Sequence, residues 1–493
     1  MPQPGRKRPT LILAVCCMSV LLVSLDTTIL NVALPSIQQD LRCSVSDLQW
    51  TLDAYTIVLA SLLMPAGSTA DRVGRRRVFL LGLVLFTGGS ALCSLAPSLN
   101  WLIVFRMAQA VGGCMLTPVA MAILTNAFPG PRERARAIGV WGGVVGISMA
   151  AGPILGGVLA QTAGWRSVFW LNVPIGLAAL LLAVLFVPES RAPRPRGVDP
   201  VGQLLVITVL GTLTYAIIEV PGHGWTSPVI VACLIAATGA AAVLVPYEMR
   251  HDEPLIEPRL FRSAPFSGAT VMAVCAFAAL GGFLFANSLY LQQVLGLGAL
   301  DTGMRLLPMA VPSLLCPPLA GRIVGSRGPR IPLLLAGAGI AAGGLLAIPA
   351  TRPDDRSDVL LYAAYALFGL GFGFVNAPIT NTAVSGLPRA RAGVAAAIAA
   401  TSRQVGSALG IAVTGAVIAD GVRPAAWWII TGCGLAVLAL GILTTGPRAA
   451  RTADRNVPSE HVLLPLDAES IRIDGGTPGP TVDKATQKHG TAL

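Results

Sequence analysis

Runs of about 20 apolar residues, nearly free of charge, follow one another along most of this chain, and each matches the length that a helix needs to cross a hydrocarbon core of about 30 Å. They fall near 10–35, 48–70, 78–97, 101–126, 136–160, 167–187, 200–220, 227–247, 266–292, 303–324, 331–350, 358–382, 393–418 and 425–445. With no water to satisfy backbone amides in lipid, such segments must be helical. The sequence therefore predicts an all-α integral membrane protein with fourteen transmembrane helices. Composition agrees: 12% of the 493 residues are charged and the mean hydropathy is +0.70, whereas a soluble domain carries about 25% charge. A water-soluble enzyme is excluded.

The first run follows Arg6, Lys7 and Arg8. It is too long for a signal peptide and lacks a small-residue cleavage site, so it is expected to remain as a span. The nine cysteines are scattered, without metal-ligand spacing, and all four histidines (His223, His251, His461, His489) lie outside the apolar runs. Proton chemistry inside the membrane is thus left to carboxylates.

The net charge of +11 reads as orientation rather than as a nucleic-acid surface. Counted over alternate loops, one set holds 24 basic residues and the other five (Arg42, Arg166, Arg352, Arg356, Arg423). The positive-inside rule then puts both termini in the cytoplasm. Residues 447–493, rich in Pro, Gly, Thr and charge, are expected to form a disordered cytoplasmic tail.

A loop recurs. Gly67–Leu80 reads GSTADRVGRRRVFL and Gly321–Leu334 reads GRIVGSRGPRIPLL, with Gly74 matched by Gly328 and Arg76 by Arg330. The repeat predicts two six-helix bundles, 10–190 and 263–446, flanked by the N-terminus (1–9) and the tail (447–493). Residues 191–262 supply two extra central helices and their linkers. Parallel repeats of this kind suit a transporter that rocks about a midplane site.

An ionisable group in mid-membrane is a functional hypothesis by default. Six stand out: Asp26, Asp53, Arg106, Glu219, Arg305 and Arg403, with Asn31, Gln109, Asn287, Asn376 and Asn381 as neutral polar company. Asp26, deep in the first run, is the first candidate for carrying a proton. Asp53 is nearer a span end, where proton relay, attraction of a cation and simple hydration all remain open. Arg106 cannot lose its proton and is expected to act as a fixed charge that tunes the carboxylates. Glu219 and Arg305 read as interfacial. Asn31, Gln109, Asn376 and Arg403 are candidates for a substrate or second-half polar site. In the loop, Gly67, Asp71, Arg72, Gly74, Arg75 and Arg76 form a candidate latch between the halves, because an Asp there can cap a neighbouring helix N-terminus. Gly152, Pro153, Gly156 and Gly157 permit close helix approach and a bend, either as ordinary packing or as a sealing hinge.

Five motifs in order carry a resemblance: LDTTILNVALP (Leu25–Pro35), GSTADRVGRRR (Gly67–Arg77), FRMAQAVGG (Phe105–Gly113), GPILGGVL (Gly152–Leu159) and GWRSVFWLNVPIG (Gly164–Gly176). Over residues 10–445 the chain resembles the major facilitator superfamily, in particular its fourteen-span drug:proton antiporters. Two departures are Ala110, where the fourth-span motif usually has Gly, and Gly325, which stands in the second loop where the first has Asp71. The resemblance implies efflux of small hydrophobic, often cationic compounds across a bacterial cytoplasmic membrane. Proton entry would drive it, with Asp26, Arg106 and Asp53 in the coupling and no cofactor. A monomer in the lipid bilayer, with no nucleic-acid partner, is expected. No GxxxxGK[ST] phosphate loop occurs. A dedicated exporter of one endogenous metabolite shares all five motifs, whereas the fifth-span motif disfavours an uptake permease. The absence of a catalytic cluster disfavours a membrane enzyme.

Overall fold

The computed structural model describes residues 9–192, 197, 199–251, 253–352, 357–385, 389–419 and 423–446. The expected N-terminal segment, apart from Pro9, and the expected tail lie outside the described residues. Every regular element among the described residues is helical. In chain order these are α1 (Pro9–Leu41), α2 (Val45–Val73), α3 (Arg75–Ser94), α4 (Leu99–Ala127), α5 (Pro131–Ala163), α6 (Arg166–Trp170), α7 (Asn172–Phe186), α8 (Pro200–His223) and α9 (Pro228–Arg250). They continue as α10 (Ala264–Leu289), α11 (Ala299–Arg305), α12 (Leu307–Arg327), α13 (Arg330–Ala350), α14 (Asp358–Gly373), α15 (Asn376–Val384), α16 (Arg389–Ala419) and α17 (Arg423–Thr444).

Twelve helical rods among the described residues are long and apolar enough to cross a membrane. The runs at 48–70 and 393–418 are occupied by α2 and α16, which are not among those twelve. Both are long, and they pack on each other and on α8.

Three rods are broken, and each break has the same cause. Pro174, Pro308 and Pro378 stand second or third in α7, α12 and α15. A proline there cannot donate to the residue four back and its ring clashes with that carbonyl, so the preceding helix stops. The break between α6 and α7 leaves Asn172 at a helix start, facing the interior at 1% exposure.

We call the end of the bundle that carries Arg72, Arg75, Arg76 and Arg77 the basic end. The first half (α1–α7) and the second (α10–α17) are joined by hydrogen bonds toward the opposite end. Gln49 Nε2 of α2 donates to the carbonyls of Ile411 and Ala412 of α16 at 3.2 and 2.7 Å. Ser288 Oγ donates to the Asn31 carbonyl, Gln292 Nε2 to that of Val32 at 2.8 Å, and Gln293 Nε2 to Gln38 Oε1 at 2.6 Å. Gln161 Oε1 accepts from Leu300 N at 3.1 Å. The larger apolar core follows the same division: it unites Leu25–Ile37 of α1, Leu48 and Leu52 with the second half. The second core, from Ile12 to Val187, belongs to the first half alone.

The α5 glycines act on two faces. A side chain at Gly152 or Gly156 would collide with Thr28 or Ile29 of α1, within the same half. One at Gly157 would meet the Ala299 carbonyl and Leu300 of α11, and Gly303 of α11 sits against Pro153. Pro153 and Gly157 are thus two points of close approach between the halves along α5. The two repeated loops also share geometry, since Gly74 closes α2 at φ +127° and Gly328 closes α12 at φ +80°, values that a side chain rarely tolerates.

The extra helices α8 and α9 pack on each other, and α8 lies on both α2 and α16. Its hydrogen bonds run to α2: Gln203 Nε2 to the Ser61 carbonyl at 2.7 Å, Trp50 Nε1 to Glu219 Oε1 at 2.8 Å, and Ser46 Oγ to the Ile218 carbonyl at 3.3 Å.

Candidate functional site

Asp26 and Arg106 meet in the interior of the first half, Oδ2 to Nη1 at 2.5 Å, with each side chain 1% exposed. Burying two charges is expensive unless the remaining lone pairs and N–H groups are satisfied, and here nearly every neighbour contributes. Gln109, one turn after Arg106 on α4, accepts from Arg106 Nη1 at 2.8 Å and donates to Asp26 Oδ1 at 2.9 Å. Asn172 Nδ2, placed by the α6–α7 break, donates to the same Oδ1 at 3.1 Å. Ser90 of α3 accepts from Gln109 at 3.3 Å and Asn172 at 3.1 Å and donates to the Phe169 carbonyl at 3.0 Å. On its other side, Arg106 Nε donates to the Thr51 carbonyl at 3.3 Å, and its guanidinium lies 4.1 Å from the Tyr55 ring centroid, within cation–π range.

Asp53 is different. It is 0% exposed, and neither carboxylate oxygen has a hydrogen-bond partner among the described residues. It lies one turn from Gln49, the residue that binds α16 across the seam. A buried carboxylate without donors bears the full cost of desolvation.

Of the other polar candidates, Asn31 donates to the Thr27 carbonyl at 3.0 Å while its Oδ1 has no partner. It stands at the α1–α10 seam, where Ser288 binds its carbonyl. Arg403 Nη1 reaches Thr380 Oγ1 of α15 at 3.4 Å. Asn376 opens α15, half-buried. Neither Arg403 nor Asn376 joins the Asp26 network. Asn287, 0% exposed, accepts from the Tyr365 hydroxyl within the second-half core. Glu219 binds Trp50 and approaches His223 (3.6 Å), and Arg305 pairs with Asp358 at 3.2 Å; both acids and bases serve helix ends.

The loop candidates bind within the first half. Asp71 pairs with Arg75 at 2.8 Å and its carbonyl accepts from Ala192 N at 3.2 Å. Arg75 N donates to the Ser190 carbonyl at 2.9 Å. Glu189 accepts from Arg76 N at 3.1 Å, and Arg76 Nη2 donates to the Val184 carbonyl at 2.7 Å. The Glu189 carboxylate fills the space where a Cβ of Gly74 would stand. Gly67 has only Pro118 near it, and Arg72 is exposed.

Sequence reasoning named Asp26, Arg106 and Gln109, and the fold brings these three together. It missed Ser90, Thr51 and Tyr55. Asn172 lay inside a quoted motif, and the proline two residues on was the available signal that its side chain stands at a helix start.

The family model described as Major Facilitator Superfamily matches residues 16–411. The chain is 38% identical over 402 residues to the multidrug resistance protein Stp of Mycobacterium tuberculosis, covering 82% of this chain and 74% of that protein. It is 38% identical to the tetracenomycin C resistance and export protein of Streptomyces glaucescens (84% and 77% covered) and 32% identical to the methylenomycin A resistance protein of Bacillus subtilis (87% and 91%). A crystal structure of a peptide transporter POT with sulfate aligns at a TM-score of 0.65 and 15% identity, over 92% of this chain and 97% of its own, which is a likeness of fold. The chain is a multi-pass membrane transporter belonging to the major facilitator superfamily.

Proposed function

We propose that this transporter exports small hydrophobic drugs or antibiotics, cationic ones among them, across a bacterial cytoplasmic membrane in exchange for protons. The names of the relatives favour drug efflux. The observation that carries proton coupling is the contrast between two membrane carboxylates, Asp26 with its donors and Asp53 with none. One proton moving through about 100 mV supplies ~2.3 kcal/mol, which sustains roughly a fiftyfold gradient.

In this reading the helices make fourteen spans, the twelve apolar rods together with α2 and α16, whose polarity suits helices enclosed by others. The 24-to-five loop asymmetry favours cytoplasmic termini. The basic end then faces the cytoplasm, and the cross-half bonds at the opposite end close the outer side. The loop around Asp71 is held by Glu189 and Ser190 in this inward-open state, and would latch to the second half when the inner side closes. The protein acts as a monomer and without a cofactor.

Everted vesicles test the proposal. Addition of a fluorescent cationic dye should drain an imposed proton gradient, and a protonophore should abolish dye uptake. Dye uptake that survives the protonophore would rule proton exchange out. Because two relatives are named for single antibiotics, a dedicated exporter is the second reading. Resistance confined to one compound class in pump-deficient cells would select it.

A further inference from the structure

At the basic end of the extra hairpin two more carboxylates are buried, remote in sequence from the Asp26 network. Asp199, 4% exposed, caps α8; its Oδ1 accepts from Gly202 N at 2.8 Å and from the Tyr247 hydroxyl at 2.9 Å. Glu248, 2% exposed, closes α9; its Oε2 accepts from the backbone N–H of Ile256 at 3.4 Å, in the linker that leads to the second half. The other oxygen of each, Asp199 Oδ2 and Glu248 Oε1, is buried with no hydrogen-bond partner among the described residues. Both oxygens converge on one point: a Cβ built on Gly202 would fall within 2.6 Å of Glu248 Oε1 and nearer still to Asp199 Oδ2. Two buried carboxylate oxygens bordering one small space repel each other unless something positive lies between them.

We infer that Asp199 and Glu248 share one proton between these facing oxygens, a proton site separate from the transport pathway that ties the α8–α9 hairpin to the linker entering the second half.

A metal ion is the competing occupant, and the ligand set does not suit it. Two carboxylates are too few for Ca²⁺ or Mg²⁺, which take about six or more oxygens, and no group of three or more His, Cys, Asp or Glu stands together among the described residues. No basic side chain forms an ion pair with either acid among the described residues. The titratable groups acting there are Tyr247 and His251 of α9, stacked at 5.4 Å, with Arg250 beside them and Arg259 and Arg262 on the turn that packs against α9. A side chain at Gly202 would press on both carboxylates and displace at least one of them. Loss of the proton would set two like charges across that glycine and loosen the hairpin from the linker.

The test is infrared spectroscopy of the full-length protein in lipid nanodiscs, recorded in the carboxylic-acid C=O region and paired with thermal unfolding at stepped pH. We expect one acid band that disappears in both Glu248→Gln and Asp199→Asn, because each single change removes half of a shared site. Asn still caps α8, and Gln still donates to Asp199, so both variants keep the fold. The unfolding temperature of the wild type should fall as pH rises from 6 to 9, and that of Glu248→Gln should stay level. A spectrum unchanged by both substitutions overturns the inference. So does a band or unfolding temperature that shifts with added Mg²⁺ or Na⁺ at fixed pH, since a cation would then be the occupant.

Discussion

Asp26 and Asp53 are both carboxylates in mid-bundle, yet they can do different work because their neighbours differ. Asp26 receives Arg106, Gln109 and Asn172, so its charge is compensated where it stands. Asp53 has no hydrogen-bond donor among the described residues, so its charge is not compensated in place. Asp26→Asn is expected to abolish proton-driven dye transport in everted vesicles while the protein still inserts in the membrane, at a cost in stability because Arg106 loses its countercharge. Wild-type transport by Asp26→Asn would remove it from the mechanism. Arg106→Ala should lose transport and also destabilise the fold by about 3–5 kcal/mol, the usual result of stranding one member of a buried pair. Arg106→Lys keeps the charge but cannot reproduce the Nε contact to Thr51 and the planar face on Tyr55, so its transport should fall between wild type and Arg106→Ala. Equal activity in the two variants would show that charge at this position is not what matters. Asp53→Asn should unfold no more readily than wild type, since no bond is lost, but should fail to couple; proton release measured on dye addition separates the two readouts.

Helices that carry function here are shaped by glycine and proline at particular positions. Pro174 breaks the sixth rod and so delivers Asn172 to Asp26, while Gly157 lets α5 approach α11 of the other half. Gly157→Ala sets a methyl group against the Ala299 carbonyl and the Leu300 backbone. It should push α11 away and open the seam opposite the basic end, seen as a passive proton leak in energised vesicles. Gly143→Ala, at a point of α5 with nothing within 4 Å, is the control and should not leak. A leak of equal size in both would mean that α5 responds to any added bulk. The GPILGGVL stretch could be read in sequence as small residues permitting close approach, but not as two faces serving two partners. That division depends on where α1 and α11 lie around α5, which period and composition do not encode. The loop at Gly67–Arg77 has the same limit: the sequence names Asp71 and Gly74, but the clamp formed by Glu189 and Ser190 comes from more than 110 residues away.

Across the whole molecule, the legible part was what repeats: apolar runs of span length, the duplicated loop and the basic asymmetry. All depend on local composition. The seam between the halves was not legible, because it is made by Gln38, Gln49, Gln161, Ser288, Gln292 and Gln293. Neutral polar residues at the ends of apolar runs look like ordinary membrane-interface residues until the two halves are brought together. Their position at one end is what makes alternating access physically reasonable: a few neutral hydrogen bonds contribute about 1 kcal/mol each, enough to hold a closed end and few enough to be exchanged for others. Gln293 and Gln38 provide the direct test, since their side chains meet at 2.6 Å across the seam. A Gln38→Cys/Gln293→Cys variant should be bridged by a short, reducible bis-thiosulfonate reagent that spans the room vacated by the two glutamine side chains, lose dye transport about tenfold or more, and regain it on reduction, while each single cysteine variant treated in the same way should transport normally. Transport that continues in fully cross-linked protein would mean that this end never opens, and the halves would then have to exchange substrate by some route other than rocking about the Asp26 side of the bundle.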